Sequence, residues 1–89
     1  MARVVFTRNL QRHVECPPVT VDAGTVADAL NLVFAEIPQL RGYVVDEQGS
    51  LRKHMVIFVD GEQIADRRGL TDAVPLDGEV YVMQALSGG

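Results

Sequence analysis

The sequence lacks most of the residues from which metal and redox sites are built. Its 89 residues include one cysteine, Cys16, and no tryptophan. A single thiol excludes an internal disulfide and a cysteine-based metal cluster. It also excludes an iron–sulfur ferredoxin, because such clusters are held by about four thiolates. A sequence without disulfides is typical of a reducing compartment, so we expect a cytoplasmic location.

Long apolar runs and basic blocks are missing as well. No apolar stretch approaches the roughly 20 residues of a membrane span, and residues 1–3 lead into strand-like sequence rather than a signal peptide. We therefore expect no membrane association. The formal net charge is -4, and the basic pair Arg67-Arg68 is too small to offset it, so we expect no nucleic-acid partner.

Nor does the sequence supply a recognisable set of catalytic residues. His13 and His54 are its only histidines. His13 and Cys16 have helix-like spacing, but the prolines at 17 and 18 oppose a helix, and no third group is evident to orient the pair. The sequence has no phosphate-binding glycine motif and no metal-ligand cluster. We therefore expect no catalytic residues, no metal and no bound cofactor.

What the sequence does contain is the pattern of a small α+β domain. With 89 residues, of which 47% are hydrophobic, the chain can bury one compact core. Residues 3–7 are β-branched and aromatic, and residues 19–21 alternate apolar with polar side chains. They predict an opening hairpin whose strands are joined by a long polar connection over residues 8–18.

One helix is predicted over residues 25–37. Thr25 stands at its N-cap position, Asp28 favours the positive end of the helix, and Pro38 marks the end. The apolar residues of this segment follow helical spacing and form one stripe: Val26, Ala29, Leu30, Val33, Phe34 and Ile37. Such a helix needs a sheet to cover.

Further strands are predicted after the helix. Residues 42–45 predict a short edge strand. Residues 55–59 and 62–65 predict a hairpin, because Asp60-Gly61 between them is a typical type I′ turn. The last strand is predicted over residues 80–86.

An irregular segment precedes the last strand. Residues 67–77 have no helical or strand periodicity, and Leu70 and Val74 are available to close the edge of the core. The predicted order is therefore two strands, one helix and three strands, with the edge strand as an addition.

Strand alternation divides the apolar residues between the two faces of the sheet. The face toward the helix receives Val4, Phe6, Met55, Ile57, Val59, Val80 and Val82. The opposite face receives Val5, Val56, Phe58, Tyr81 and Met83. An uncovered apolar face predicts a partner-docking surface. The alternatives are that loops at 41–53 or 67–75 fold over it, or that the chain self-associates.

The element order predicts a ubiquitin-like β-grasp, in which a mixed four- to five-stranded sheet carries one main helix packed on one face. Four pieces of sequence carry a closer resemblance: the capped helix at 25–37, the segments 56–61 and 76–80, and the terminal Ser87-Gly88-Gly89. With these pieces the chain resembles the MoaD/ThiS family of sulfur carrier proteins over essentially its whole length. That family includes the small subunit of molybdopterin synthase and the thiamine-biosynthesis carrier.

This resemblance implies chemistry at the last residue. In the family, an adenylyltransferase related to ubiquitin-activating enzymes uses ATP to adenylate the terminal glycine, here Gly89. A sulfur donor then displaces AMP and leaves a thiocarboxylate, which an acceptor sulfurtransferase or synthase receives. The protein itself would be a carrier and not an enzyme, or a non-catalytic subunit of a sulfurtransferase such as molybdopterin synthase.

The same resemblance divides the chain into two parts. Residues 1–86 would form the β-grasp domain, and residues 87–89 a flexible tail. Leu86, Ser87 and Gly88 would lead Gly89 into a partner's active site, where two glycines without a Cβ give the tail a thin cross-section.

Three hypotheses remain open at this point. The first is a sulfur carrier of molybdopterin, cysteine or thiamine type; the extended segment at 46–54 resembles the longer members, including the cysteine-biosynthesis carrier CysO. The second is a ubiquitin-like protein modifier that is conjugated through Gly89. The third is a non-catalytic β-grasp interaction module whose tail is inert.

Overall fold

The computed structural model describes residues 1–12 and 14–84, with Asn9 described by its backbone only. The described residues form one five-stranded mixed sheet in the order β2-β1-β5-β3-β4. Its strands are β1 (Ala2–Phe6), β2 (Val19–Val21), β3 (Met55–Val59), β4 (Glu62–Gln63) and β5 (Glu79–Gln84). The helices are α1 (Arg8–Gln11), α2 (Val26–Glu36) and α3 (Gln39–Val44). This is the predicted β-grasp, with α2 as its main helix.

The first and last strands lie side by side in the centre of the sheet. β5 pairs parallel with β1, with Val4 opposite Val80, and antiparallel with β3, with Ile57 opposite Val82. All four of these side chains are 0% exposed. Their register therefore places two adjacent apolar rows beneath the helices.

Helix α2 begins and ends where the sequence predicts. The Thr25 hydroxyl accepts a hydrogen bond from the amide of Asp28 at 3.2 Å. The amides of Val26 and Ala27 donate to the carbonyls of Asp72 and Leu70 at 3.0 and 2.8 Å. Because the first amides of a helix have no partner within it, these bonds complete the cap.

Residues 42–45 do not form the predicted edge strand. Residues 42–44 belong instead to α3, which Pro38 opens with a helical φ of -58°. Leu40 and Val44, four residues apart, are both 0% exposed because the helix turns them onto the core. The β-branched composition of this segment favours a strand, but burial of this pair on one helical face outweighs that preference.

Two smaller differences concern α1 and β4. The connection over residues 8–18 contains the four-residue helix α1, which buries Leu10. β4 stops at Gln63, earlier than the predicted 65. The reason lies in the following loop: the amides of Ala65 and Asp66 donate to the Asp72 carboxylate at 3.0 and 2.8 Å, so they are not available to a neighbouring strand.

The hairpin turn and the long loop are as predicted. Asp60 and Gly61 have φ values of 49° and 86°, as a type I′ turn requires. No helix or strand forms between β4 and β5, and Leu70 and Val74 are buried at the edge of the core. Among the described residues, none of the helices is long and apolar enough to cross a membrane.

Candidate functional site

The central strand β5 is the element that leads toward the C-terminus. At its first residue, Glu79 donates its amide to the Asp60 carboxylate at 2.8 Å and accepts the Asp60 amide at 2.9 Å. At its last residue, Gln84 pairs with Met55 of β3. β1 therefore holds β5 up to Val82, and β3 holds it up to Gln84.

The residues on which the resemblance places the chemistry follow this strand. Leu86, Ser87, Gly88 and Gly89 lie outside the described residues, as does the boundary between a domain ending at 86 and a tail at 87–89. The activation site at Gly89 therefore stays a prediction.

The five apolar residues assigned to the outer face lie together on the sheet. Tyr81 is paired with Val5 of β1 on one side and with Phe58 of β3 on the other. Met83 is paired with Val56. All five side chains are half-buried, whereas the apolar residues that alternate with them on β1 and β5 are buried. We call these five residues the outer apolar face.

Neither candidate loop folds onto the outer apolar face as its main packing surface. Leu70 and Val74 of the 67–75 loop are buried in the core, and this loop caps α2. In the 41–53 segment, Val44 and Leu51 are also buried in the core. The buried apolar side chains of both loops therefore belong to the core.

Cys16 is placed as a core residue. Its side chain is 1% exposed, and burial raises the pKa of the thiol above its usual range because it penalises the thiolate. The thiolate is the reactive form of cysteine. His54, the one histidine among the described residues, is exposed, and His13 lies outside them.

Other sites that sequence reasoning considered are not assembled in the described residues. They contain no group of three or more histidine, cysteine or acidic side chains that could hold a metal ion. The N-terminus of α2 is not open to an anion, since Thr25, Leu70 and Asp72 already accept its amide hydrogen bonds.

A network of polar residues that the sequence interpretation missed organises the 64–72 loop. The Asp66 carboxylate accepts the amides of Arg68 and Gly69 at 3.1 and 2.9 Å and the Thr71 hydroxyl at 2.6 Å. The Thr71 hydroxyl is the largest of the contributions that lower the pKa of Asp66 to about 2. The signal was present in the sequence: an aspartate three residues before a glycine is typical of a turn.

Arg67 fixes the segment that precedes β3. Its guanidinium donates to the carbonyls of Arg52 and Met55, each at 2.8 Å. The Leu51 amide in turn donates to the Arg67 carbonyl at 2.8 Å. The approach to β3 is thus held beside the end of β5.

The fold is closely similar to several solved structures. SAMP1 from Haloferax volcanii has 26% identity and a TM-score of 0.82, and the match covers 99% of this chain and 98% of that one. The chain is similar to the ubiquitin-like sulfur carriers and modifiers. No protein-family model matches the sequence, and no curated protein matches it significantly.

Two further structures extend the likeness to CysO proteins. A chain in the Amycolatopsis orientalis BexX/CysO complex matches with 20% identity, a TM-score of 0.83 and 100% coverage of both chains. Mycobacterium tuberculosis CysO matches with 19% identity and a TM-score of 0.80 over 97% of this chain and 100% of that one. At these identities the agreement concerns the fold.

Proposed function

We propose that this protein is a sulfur carrier that works through the carboxylate of Gly89. A partner adenylyltransferase joins that carboxylate to AMP with release of pyrophosphate from ATP. A sulfur donor at the oxidation level of sulfide then attacks the acyl carbon and loses its proton, AMP leaves with the bonding electron pair, and a thiocarboxylate remains. The product donates sulfur to an acceptor enzyme in cofactor or amino-acid biosynthesis.

The chemistry explains why activation is needed. A carboxylate is a poor electrophile because its charge is delocalised over two oxygens. The mixed anhydride with AMP carries a good leaving group, so it accepts the sulfur nucleophile. The resulting thiocarboxylate sulfur is soft and nucleophilic, which suits transfer to an electrophilic acceptor.

The observation that carries the proposal is the position of β5. It is a central strand that pairs with β1 up to Val82 and with β3 up to Gln84, and five residues follow it in the sequence. An extended segment of five residues reaches at most about 17 Å. A partner can therefore rest against the fixed end of the sheet and enclose the five-residue segment in its active site. Enclosure of this kind would bring the Gly89 carboxylate and its reaction partner to within about 3.5 Å.

The outer apolar face is the proposed docking surface for that partner. Val5, Tyr81 and Phe58 form one row across three strands, and Met83 and Val56 form the next. Both rows lie on β5 and on the strands that pair with it. Burial of apolar side chains beside the tail would fix the direction in which the segment enters the partner.

The test is the intact mass after incubation with the cognate adenylyltransferase, ATP and a sulfur donor. We expect a gain equal to the replacement of one oxygen by sulfur. Gly88→Ala should greatly reduce this conversion, because a Cβ widens the tail. Gly42→Ala is the matched control, since a Cβ there has no heavy atom within 4 Å. Equal conversion of both variants would contradict the role assigned to the tail.

A second candidate function is protein modification through the same residue, which the likeness to a small archaeal modifier protein supports. It predicts an isopeptide bond between Gly89 and target lysines. Arg68 is the last basic residue of the chain, so trypsin would leave residues 69–89 on the lysine. Ser87→Arg shortens this remnant to two glycines, which peptide mass spectrometry detects.

The third candidate is an interaction module with an inert tail. It predicts that deletion of Gly88 and Gly89 leaves function intact, whereas a charge at Phe58 or Tyr81 abolishes binding. Loss of function on deletion of the two glycines would exclude it.

A further inference from the structure

The two ends of β5 carry opposite charge. At its beginning four acidic residues outnumber two positive groups, Arg3 opposite Glu79 and the N-terminal ammonium beside Asp77. The four acidic residues are Asp60, Glu62, Asp77 and Glu79. Asp77 and Glu79 flank the entry to the strand, and the Asp60 carboxylate is bonded to the Glu79 amide. At the end of the strand, by contrast, four basic residues lie on neighbouring segments.

Two of these basic residues lie on the β1 side of the exit. The Thr7 amide donates to the Val82 carbonyl at 3.1 Å, which ties the end of β1 to β5. Helix α1 starts at the next residue, Arg8, and packs against β5. The Arg12 amide donates to the Arg8 carbonyl at 3.1 Å. Both arginines are exposed.

Two more lie on the β3 side. Met55 is paired with Gln84, so Lys53, two residues earlier, lies just beyond the last paired residue of β5. Arg68 lines the same open cleft as Lys53, and both are exposed. We call Arg8, Arg12, Lys53 and Arg68 the basic rim.

The charges of the basic rim are not neutralised within the described residues. The single ion pair found there joins the N-terminal ammonium to Asp77 at 3.2 Å, at the opposite end of β5. Asp46 also lines the cleft with Lys53, but one of its carboxylate oxygens accepts the amides of Gln48 and Ser50. Like charges clustered without partners repel each other, so the rim contributes no evident stability to the fold.

We propose that the basic rim binds an acidic protein surface around the entrance through which the partner receives the tail. The inference rests on the proposed function, because the tail is what brings that entrance to the rim. Complementary charge orients an encounter and raises its rate. The acidic end of β5 would repel the same surface, so the molecule would approach with its tail forward. The overall charge of -4 disfavours a nucleic-acid phosphate backbone as the occupant.

The first experiment measures ATP–pyrophosphate exchange by the adenylyltransferase with this protein as variable substrate. In the triple variant Arg8→Glu, Arg12→Glu, Lys53→Glu we expect KM to rise about tenfold at ~50 mM NaCl with kcat unchanged, and the difference to shrink at ~500 mM NaCl. The matched control reverses charges at the other end, with Glu62→Lys, Asp77→Lys and Glu79→Lys. Its KM should not rise. Equal KM for the wild type and the rim variant would overturn the proposal.

A second measurement separates failure of the rim from failure of the proposed function. If no adenylyltransferase supports exchange with the wild-type chain, the proposed function fails, and the rim is judged by NMR titration of the full chain with hexaglutamate. Salt-sensitive shifts centred on Arg8, Arg12, Lys53 and Arg68 support an acidic occupant. Shifts that are absent or spread over the surface overturn it, as does tighter binding of a duplex RNA of matched charge.

Discussion

The two faces of the sheet are built from alternate residues of the same strands, yet they differ in what their side chains contact. Ile57 and Val82 on the inner face are 0% exposed and lie beneath the helices. Phe58 and Tyr81, one residue away from each, are paired on the outer face and remain half-buried. The inner set is explained by the fold of this chain alone. The outer set includes two large aromatic side chains that the fold leaves partly in water, which supports the docking role proposed for it.

Truncating one residue on each face gives the sharpest form of this comparison. Ile57→Ala should lower the free energy of unfolding by about 2 to 5 kcal/mol, because it removes buried methyl groups and leaves a cavity. Val56→Ala, the matched outer-face change, should cost about 1 kcal/mol or less. Urea unfolding monitored by circular dichroism measures both. Equal losses would show that the outer face is part of the core.

A charge on the outer apolar face should affect partner binding more than folding stability. Phe58→Glu should fold, but it should weaken binding to the adenylyltransferase by about 2 kcal/mol, roughly thirtyfold, because a buried aromatic anchor is lost. Leu32→Glu is the control: Leu32 is 44% exposed on α2, away from the proposed interface. Calorimetric titration measures both affinities. If both variants bind like the wild type, the docking surface lies elsewhere.

Removing the N-cap of α2 should lower folding stability and leave partner binding unchanged. Thr25→Ala removes the side-chain acceptor of the Asp28 amide and should lower the free energy of unfolding by about 1 kcal/mol. Thr25→Ser keeps the hydroxyl and should retain most of this stability. Affinity for the partner should change in neither variant when measured well below the unfolding midpoint. A loss of affinity in Thr25→Ala alone would show that partner binding depends on the cap of α2.

The smallest expected effect is a pH dependence from the loop that caps α2. The pKa of Asp66 is lowered to about 2 in the folded protein, chiefly by the Thr71 hydroxyl. The unfolded chain therefore binds the proton more readily, and stability present above about pH 4 is lost as the pH falls toward 2. Urea midpoints at pH 5, 3 and 2 should fall less steeply for Asp66→Asn than for the surface control Glu47→Gln. Parallel curves would contradict this account.

The elements that sequence predicts best are those with a strong local cause. The spacing from Val26 to Ile37, the Thr25 cap and the two positive φ values at Asp60-Gly61 each follow from nearest neighbours along the chain, and the structure has all of them. The alternation of β3 and β5 also placed their residues on the correct faces, because no bulge interrupts the pairing with Val82.

The errors occur where distant residues decide the outcome. Helix α3 forms because Leu40 and Val44 find the core, not because residues 42–45 favour a helix. β4 ends early because the Asp72 carboxylate, several residues ahead, takes the amides of Ala65 and Asp66. The candidate site is likewise predicted only in part. Periodicity locates the outer apolar face, but the proposed partner that would cover it is a different chain.

The central claim is that Gly89 carries the sulfur, and mass spectrometry of the peptides from the sulfur-loaded protein tests it most directly. We expect that one oxygen is replaced by sulfur on the C-terminal peptide. Cys16, which is 1% exposed and has a raised thiol pKa, should be unchanged. Sulfur found on Cys16 as a persulfide, with an unmodified C-terminal peptide, would contradict it.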